Sequence, residues 1–357
     1  MLEEFFAPKS VAVIGASSDE QKLGYSVLKN VVQYGYQGKV FPVNPRADEI
    51  LGLPAFPTVV AIPEPVDLAI LVVPAEAVPA VIGQCGEKGV RGAIVISAGF
   101  REVGPEGVQR EKRILEIARR SGMRLLGPNS LGLIATRSRL NASFAARMPK
   151  EGNISFMSQS GALCTAILDW SEKEELGFLK FISLGNKADL NEVDFLQAFS
   201  EDPLTRVIIA YLEGIVDGRR FMEVASEVTK RKPVVVIKSG TTTAGIRAVS
   251  SHTGTLAGSE AAYDAAFKQS GIIRAYSIED LFDLSIAFSY QPIPRGNRLA
   301  IITNAGGPGI MATDAAEKQG DALTLTRFTP RTVEYLRERL PSTANVYNPV
   351  DLIGDAR

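Results

Sequence analysis

The chain is 357 residues long, with 45% hydrophobic and 22% charged residues, a balance ordinary for a soluble globular protein. At this length two or three domains are expected. A formal net charge of −1 supplies no overall field for nucleic acid or an anionic membrane.

The N-terminal MLEEFF is acidic and leads straight into a strand pattern, unlike a signal peptide. No apolar run approaches the ~20 residues that cross a bilayer. Short apolar runs then alternate with amphipathic segments. Strands are expected over 10–16, 39–43, 66–73, 92–97 and 124–126, with helices over 24–34, 75–88 and 105–121. Continuous runs such as DLAILVVP and GAIVIS fit strands buried on both faces, as a parallel sheet covered by helices requires. This is a doubly wound α/β domain over residues 1–149.

The pattern restarts over residues 150–290. Strands are expected over 153–158, 179–184, 206–213, 233–238 and 272–275, and helices over 162–174, 191–200, 218–230 and 278–290. QPIPRGN (291–297) reads as a linker. A strand over 298–303, the turn NAGGPG and a helix through Lys318 then begin a third α/β lobe over 291–357, which is small for an independent core. Cys85 and Cys164 lie far apart and form no metal-type spacing, which suggests a reducing, cytoplasmic compartment.

In VAVIGASSDEQKLG, Gly15, Ser17, Ser18 and Gly24 fall at a strand-to-helix turn, where backbone N–H groups cradle a phosphate or simply make a turn. The second strand ends in Asn44, Pro45 and Arg46, where an NAD site usually has a carboxylate. A cation there suits a phosphorylated ribose, that of NADP or coenzyme A, or is a solvated surface arginine. ISAGF, with Ser97, Ala98 and Gly99, and LGPNSLG, with Asn129, add two more polar turns at strand ends.

The only histidine, His252, lies in a stretch, 239–258, of which 12 of 20 residues are Gly, Ser or Thr. A lone histidine is usually an ordinary surface or core residue. A connection this long and this rich in hydroxyls and glycines is more often functional, and suits an anion. Two further features complement it. In NISFMSQSGAL a strand ends at Ser158, and Ser160–Gly161 open a helix whose N-terminus favours negative charge. Glu213, ending RVIIAYLEG, is either a plain strand-end carboxylate or the acceptor that fixes an imidazole tautomer and leaves the other nitrogen nucleophilic.

Taken in order, VIGASS, VNPR, ISAGF, LGPNSLG, MSQSGAL, SLGNKADLNEVDFL, YLEGI and SSHTGTLAGS resemble the nucleoside-diphosphate-forming acyl-CoA synthetase superfamily over residues 1–290. The lobe from Arg298 resembles the third domain of the ADP-forming acetyl-CoA type, in which it runs further than Arg357. The resemblance implies a Rossmann-like CoA-binding domain, a flavodoxin-like ligase domain and a partial third lobe. It implies coenzyme A on Gly15, Ser17, Ser18, Arg46, Ser97, Ala98, Gly99 and Asn129. It also implies a phosphohistidine at His252, a supporting carboxylate at Glu213, and phosphate contacts at Ser158, Ser160, Gly161 and Ser251. The reaction implied is acyl-CoA + ADP + phosphate ⇌ acid + CoA + ATP. ADP/ATP and Mg would sit on a partner ATP-grasp module, either a β subunit or a fused domain, in an oligomer. A succinyl-CoA synthetase α subunit and the regulatory CoA-binding module of a protein acetyltransferase-type fusion are the alternatives. Such regulatory modules often lack the histidine. An NADP-dependent oxidoreductase is disfavoured, because no second histidine and no catalytic Lys/Tyr pattern occurs.

Overall fold

The computed structural model describes residues 2–240, 245 and 259–354. The chain forms two compact units, Met1–Gln291 and Pro292–Arg357.

In the first unit, β1 (Ser10–Ile14), β2 (Lys39–Val43), β3 (Leu68–Leu71), β4 (Gly92–Val95) and β5 (Arg124–Leu126) form a parallel sheet in the order β2-β1-β3-β4-β5. Every residue of β1, β3 and β4 is buried, as continuous apolar runs demand of strands covered on both faces. Helices α1 (Leu23–Gln33), α2 (Val78–Lys88) and α3 (Pro105–Arg120) supply the cover.

A second sheet runs β12-β11-β10-β8-β9-β6-β7. Its parallel part is β8 (Glu151–Ser158), β9 (Phe178–Ser183), β10 (Val207–Leu212), β11 (Val234–Lys238) and β12 (Ile273–Ala275). Helices α4 (Gly161–Lys173), α5 (Glu192–Glu201), α6 (Gly218–Thr229), α7 (Glu260–Ser270) and α8 (Ile278–Tyr290) accompany it. Two antiparallel strands that the sequence reading did not contain, β6 (Gly132–Ala135) and β7 (Leu140–Ser143), extend it beyond β9. Both precede residue 149, so chain from the first βα series builds the edge of the second sheet. Asn30 of α1 ties this edge to the first layer, donating to Ser143 O and Ala145 O at 2.8 and 2.6 Å.

In each sheet the chain reverses its direction of growth beside the first parallel strand, between β1 and β3 and again between β8 and β10. Such switch points open a crevice at the carboxyl ends of the strands, where ligands bind in this architecture. The turn after β1 is tight. Gly15 has φ +92°, and a Cβ there would lie 2.4 Å from Val72 O. A Cβ on Gly24, in the first turn of α1, would lie 2.0 Å from Gly15 O, so the helix packs directly on the turn.

In the second unit the expected strand over 298–303 is broken. β13 (Arg298–Leu299) pairs with β15 (Thr324–Leu325), whereas β14 (Ile302–Thr303) pairs with β16 (Val350–Asp351). Asn348 occupies the break, accepting from Ile301 N at 2.9 Å and donating to Leu299 O and Thr326 O at 2.9 and 3.0 Å. Helices α9 (Gly306–Glu317) and α10 (Pro330–Arg339) complete this unit.

Among the described residues no helix is long and apolar enough to cross a membrane. The packing of α1 yields a direct test. Gly24→Ala should destabilise the protein by about 1–3 kcal/mol, because the added methyl meets backbone that cannot yield. In Gly83→Ala the Cβ of a helical glycine meets nothing within 4 Å. That variant should be neutral or stabilised by up to about 1 kcal/mol, so its urea midpoint should hold or rise where that of Gly24→Ala falls.

Candidate functional site

A cavity of about 790 Å³ lies between the switch point of the first sheet and the turn that follows β8. Gly15, Lys22, Leu23 and Gly24 line it from the turn after β1, and Val72, Val73 and Pro74 from the turn after β3. Ser97 and Ala98 follow from β4, and Asn129, Ser130 and Leu131 from β5. Gln159, Ser160, Gly161, Ala162 and Thr165 close it from the second sheet. The volume suits a small ligand rather than a macromolecule.

Sequence-predicted residues divide into those this cavity gathers and those it does not. Gly15, Ser97, Ala98, Asn129, Ser160 and Gly161 are gathered. Asn129 adopts φ +56°, and its N–H donates to Ser97 O at 2.9 Å. The Ser97 hydroxyl is already committed, donating to Val73 O at 2.5 Å, so it holds two neighbouring turns together. Ser17, Ser18, Arg46, Gly99 and Ser158 are not in the lining. Ser17 Oγ accepts from Asp19 N at 3.0 Å, within its own loop. Ser18 and Arg46 are exposed, and Gly99 N donates to Glu102 Oε1 at 2.6 Å. Ser158 is fully buried, bonded to both N–H and C=O of Ser160 at 3.0 Å. Ser251 and His252 lie outside the described residues.

Two helix N-termini meet the cavity with different caps. Ser160 caps α4, accepting from Leu163 N at 3.2 Å. Lys22 precedes α1 and lines the same space, and its side chain makes no capping bond to the helix. Both ends favour anions. Turns of two sheets and two helix N-termini around one cavity suit a ligand that carries phosphate groups.

Beside the cavity stands Glu213, 8% exposed, at the end of β10. Among the described residues its Oε2 is buried without a hydrogen-bond partner. Gln159 holds its backbone: Oε1 accepts from Glu213 N at 2.6 Å and Gly214 N at 2.9 Å, and Nε2 donates to Gly214 O at 2.7 Å. Lys187 Nζ also donates to Gly214 O at 2.7 Å and pairs with the fully buried Glu192 at 2.9 Å. Glu192 in turn accepts from Val216 N at 2.7 Å. Lys238, ending β11, donates to Glu213 O at 2.7 Å, and its ammonium lies 4.3 Å from the Tyr263 ring centroid. Burial draws Lys238 down to about 8, against the opposing pull of the Glu213 charge. Burial also lowers the pKa of Lys187, with Glu192 opposing. Sequence reading singled out none of Gln159, Lys187, Glu192 or Lys238. The available signal was a charge at the end of a buried strand, in PVVVIK, and a charge inside SLGNKADLNEVDFL.

Comparison with known proteins agrees with this layout. A model described as a CoA binding domain matches residues 9–136, and one described as a succinyl-CoA ligase like flavodoxin domain matches residues 151–288. An Archaeoglobus fulgidus protein named acetate–CoA ligase (ADP-forming) I is 51% identical over 99% of this chain and 51% of its own length. The α subunit of a Pyrococcus furiosus acetate–CoA ligase (ADP-forming) II is 50% identical over the whole chain and 77% of that subunit. The chain thus spans about half of the former relative and three quarters of the latter. An acetyl-coenzyme A synthetase from Ca. Korarchaeum cryptofilum, solved with phosphate and ADP, superposes with a TM-score of 0.93 at 45% identity, covering all of this chain and 76% of that one.

The two thiols offer a check on the environment around α4. Cys164, beneath the cavity, and Cys85, in α2, are both pushed up to about 12 by burial. At pH 8 a thiol of this kind is thiolate in roughly one molecule in 10⁴, so maleimide should label both at least about 100-fold more slowly than after denaturation. Rapid labelling of Cys164 in the folded protein, read by mass spectrometry, would contradict this packing.

Proposed function

We propose that this chain, which belongs to the ADP-forming acetyl-CoA synthetase family, is the CoA-binding and phosphohistidine-carrying part of an enzyme that converts acyl-CoA, ADP and phosphate into acid, CoA and ATP. The observation that carries this reading is the cavity shared by turns of both sheets, beside which Glu213 Oε2 is buried without a partner among the described residues.

On this reading coenzyme A binds across the turns of a domain over 1–149, with its phosphates near the uncapped start of α1. Phosphate waits at the N-terminus of α4, held by Ser160 and Gly161. Phosphate attacks the thioester carbonyl; the C–S bond breaks, and CoA leaves as thiolate. The acyl phosphate passes its phosphoryl group to one imidazole nitrogen of His252, on the ligase domain over 150–290, and the carboxylic acid departs. Glu213 accepts a hydrogen bond from the other imidazole nitrogen, which sets the tautomer and stabilises the cation that forms. ADP, with Mg neutralising its charge, takes the phosphoryl group on an ATP-grasp module, either a β subunit or a fused domain. The segment 291–357 begins a third lobe of the assembly. Two buried thiols are in keeping with a reducing, cytoplasmic compartment.

The test is phosphorylation by the assembled enzyme. Acyl-CoA and labelled phosphate should place a base-stable, acid-labile phosphoryl group on His252, and His252→Ala should carry none. Label retained in that variant would overturn the assignment. Coenzyme A should raise the Tm of the chain and NADP should not, since a ligand that binds only the folded state stabilises it. The chain without its nucleotide module should make no ATP.

A further inference from the structure

We propose that Gln159 is a positioning residue for Glu213, its side-chain amide setting where the carboxylate stands relative to the anion-binding start of α4. This rests on the reading of Glu213 as the support of the phosphorylated histidine.

The parallel ladder between β8 and β10 ends where Ser158 faces Tyr211. One step further the backbones still meet, with Gln159 N donating to Tyr211 O at 3.1 Å, and then they diverge. From that point the Gln159 side chain acts as a peptide group would. It accepts from Glu213 N and Gly214 N and donates to Gly214 O. The remaining carbonyl, Glu213 O, is held by Lys238, and Gly214 O receives a second bond from Lys187. Every polar backbone atom of the Glu213–Gly214 turn is therefore fixed by a side chain rather than by a strand. Turns at strand ends are usually satisfied by neighbouring backbone or water, so three side chains converging on two residues mark a turn whose position is over-determined.

Gln159 also lies one residue before Ser160, the cap of α4, and lines the cavity. One side chain thus links the start of the helix to the backbone of the residue that carries the carboxylate. The task needs an amide. The carboxylate of Glu would accept but not donate, and Met would do neither. All three of the amide's bonds go to the turn, which leaves the cavity-facing ligand contacts to its neighbours.

The experiment uses the assembled enzyme with acyl-CoA and labelled phosphate, quenched rapidly to give the rate of His252 phosphorylation. Gln159→Met should slow that step by about 10- to 100-fold, the scale of a displacement near 1 Å, while the Kd for coenzyme A stays within about 3-fold. Gln159→Glu, which keeps the acceptor, should fall between Met and the natural residue. Because Gln159 acts through Glu213, the double variant Gln159→Met/Glu213→Gln should be no slower than Glu213→Gln alone, within about 2-fold. A residue needed only for general stability would multiply the two effects. Phosphorylation at the natural rate in Gln159→Met, or multiplied effects in the double variant, overturns the proposal. So does failure of both Gln159 variants to fold, which would assign the side chain to stability. Glu213→Gln by itself reads the underlying function: if it phosphorylates at the natural rate, the role of Glu213 is what fails.

Discussion

Two parallel sheets must present their carboxyl edges to one cavity, and a single strip of contacts between the layers imposes this. The loop after β9 lies along the end of β5, with Asn186 N, Ala188 N and Leu190 N donating to Pro128 O, Gly127 O and Leu125 O at 2.8, 3.0 and 3.1 Å. Asp189 accepts from Arg124 Nε at 2.8 Å and Leu125 N at 2.9 Å. Asn186 reaches across to Glu102 and Glu111 of the first layer at 2.7 and 3.1 Å. Burial alone would raise the Glu102 carboxyl; bonds from Asn186 and from the N–H groups of Phe100 and Gly99 outweigh it and hold the group below the usual range. A loop from the second sheet is thus fixed to strand ends of the first. The adjacent Lys187 carries the same tie to the turn of Glu213. The walls of the cavity cannot shift independently.

The parallel strands were legible because a strand covered on both faces must be apolar at every position. Both switch points then follow from strand order. The β6–β7 pair was not legible for the opposite reason. Each of its strands is only four residues long, and Asn141 and Ser143 place polar side chains where a buried strand would be expected to be apolar, yet both are fully buried. Their side chains bond each other at 2.6 Å, and Asn141 Nδ2 also donates to Arg147 O at 3.2 Å. The apolar run over 298–303 misled in another way, since the insertion that splits it comes from Asn348, 47 residues from Ile301. No local pattern announces a side chain arriving from so far along the chain.

Turns at the cavity were legible to about the same depth. Glycines, hydroxyls and a strand-to-helix junction are local signals, and Gly15, Ser97, Asn129, Ser160 and Gly161 were found by them. Local signals cannot say which hydroxyls are already spent. Ser17 and Ser158 bond inside their own turns, and Arg46 extends into solvent, its N–H accepted by Asn44 Oδ1 at 2.8 Å. Gln159, Lys187 and Lys238 escaped for a related reason: each looks like an ordinary polar residue until segments 25 to 55 residues apart are brought side by side.

This spacing bears on why the carboxylate is built as it is. A buried carboxylate oxygen without a donor costs on the order of 1–3 kcal/mol or more, and a free side chain would turn toward water or toward the nearest cation. The Glu213 charge acts on both Lys238 and Lys187, yet Lys238 donates to the Glu213 carbonyl, and Lys187 to Gly214 O and the Glu192 carboxylate, instead. The two cations therefore secure the turn without neutralising the carboxylate through a direct hydrogen bond. What remains is an acceptor held in place, buried, and short of one donor among the described residues. An imidazole that becomes cationic on phosphorylation supplies such a donor, and gains most when the acceptor was fixed in advance and needs no reorganisation at the moment of transfer. On the proposed reading, the oxygen left unpaired among the described residues and the support of a phosphorylated histidine belong to one arrangement, maintained by the buried side chains around residues 213 and 214.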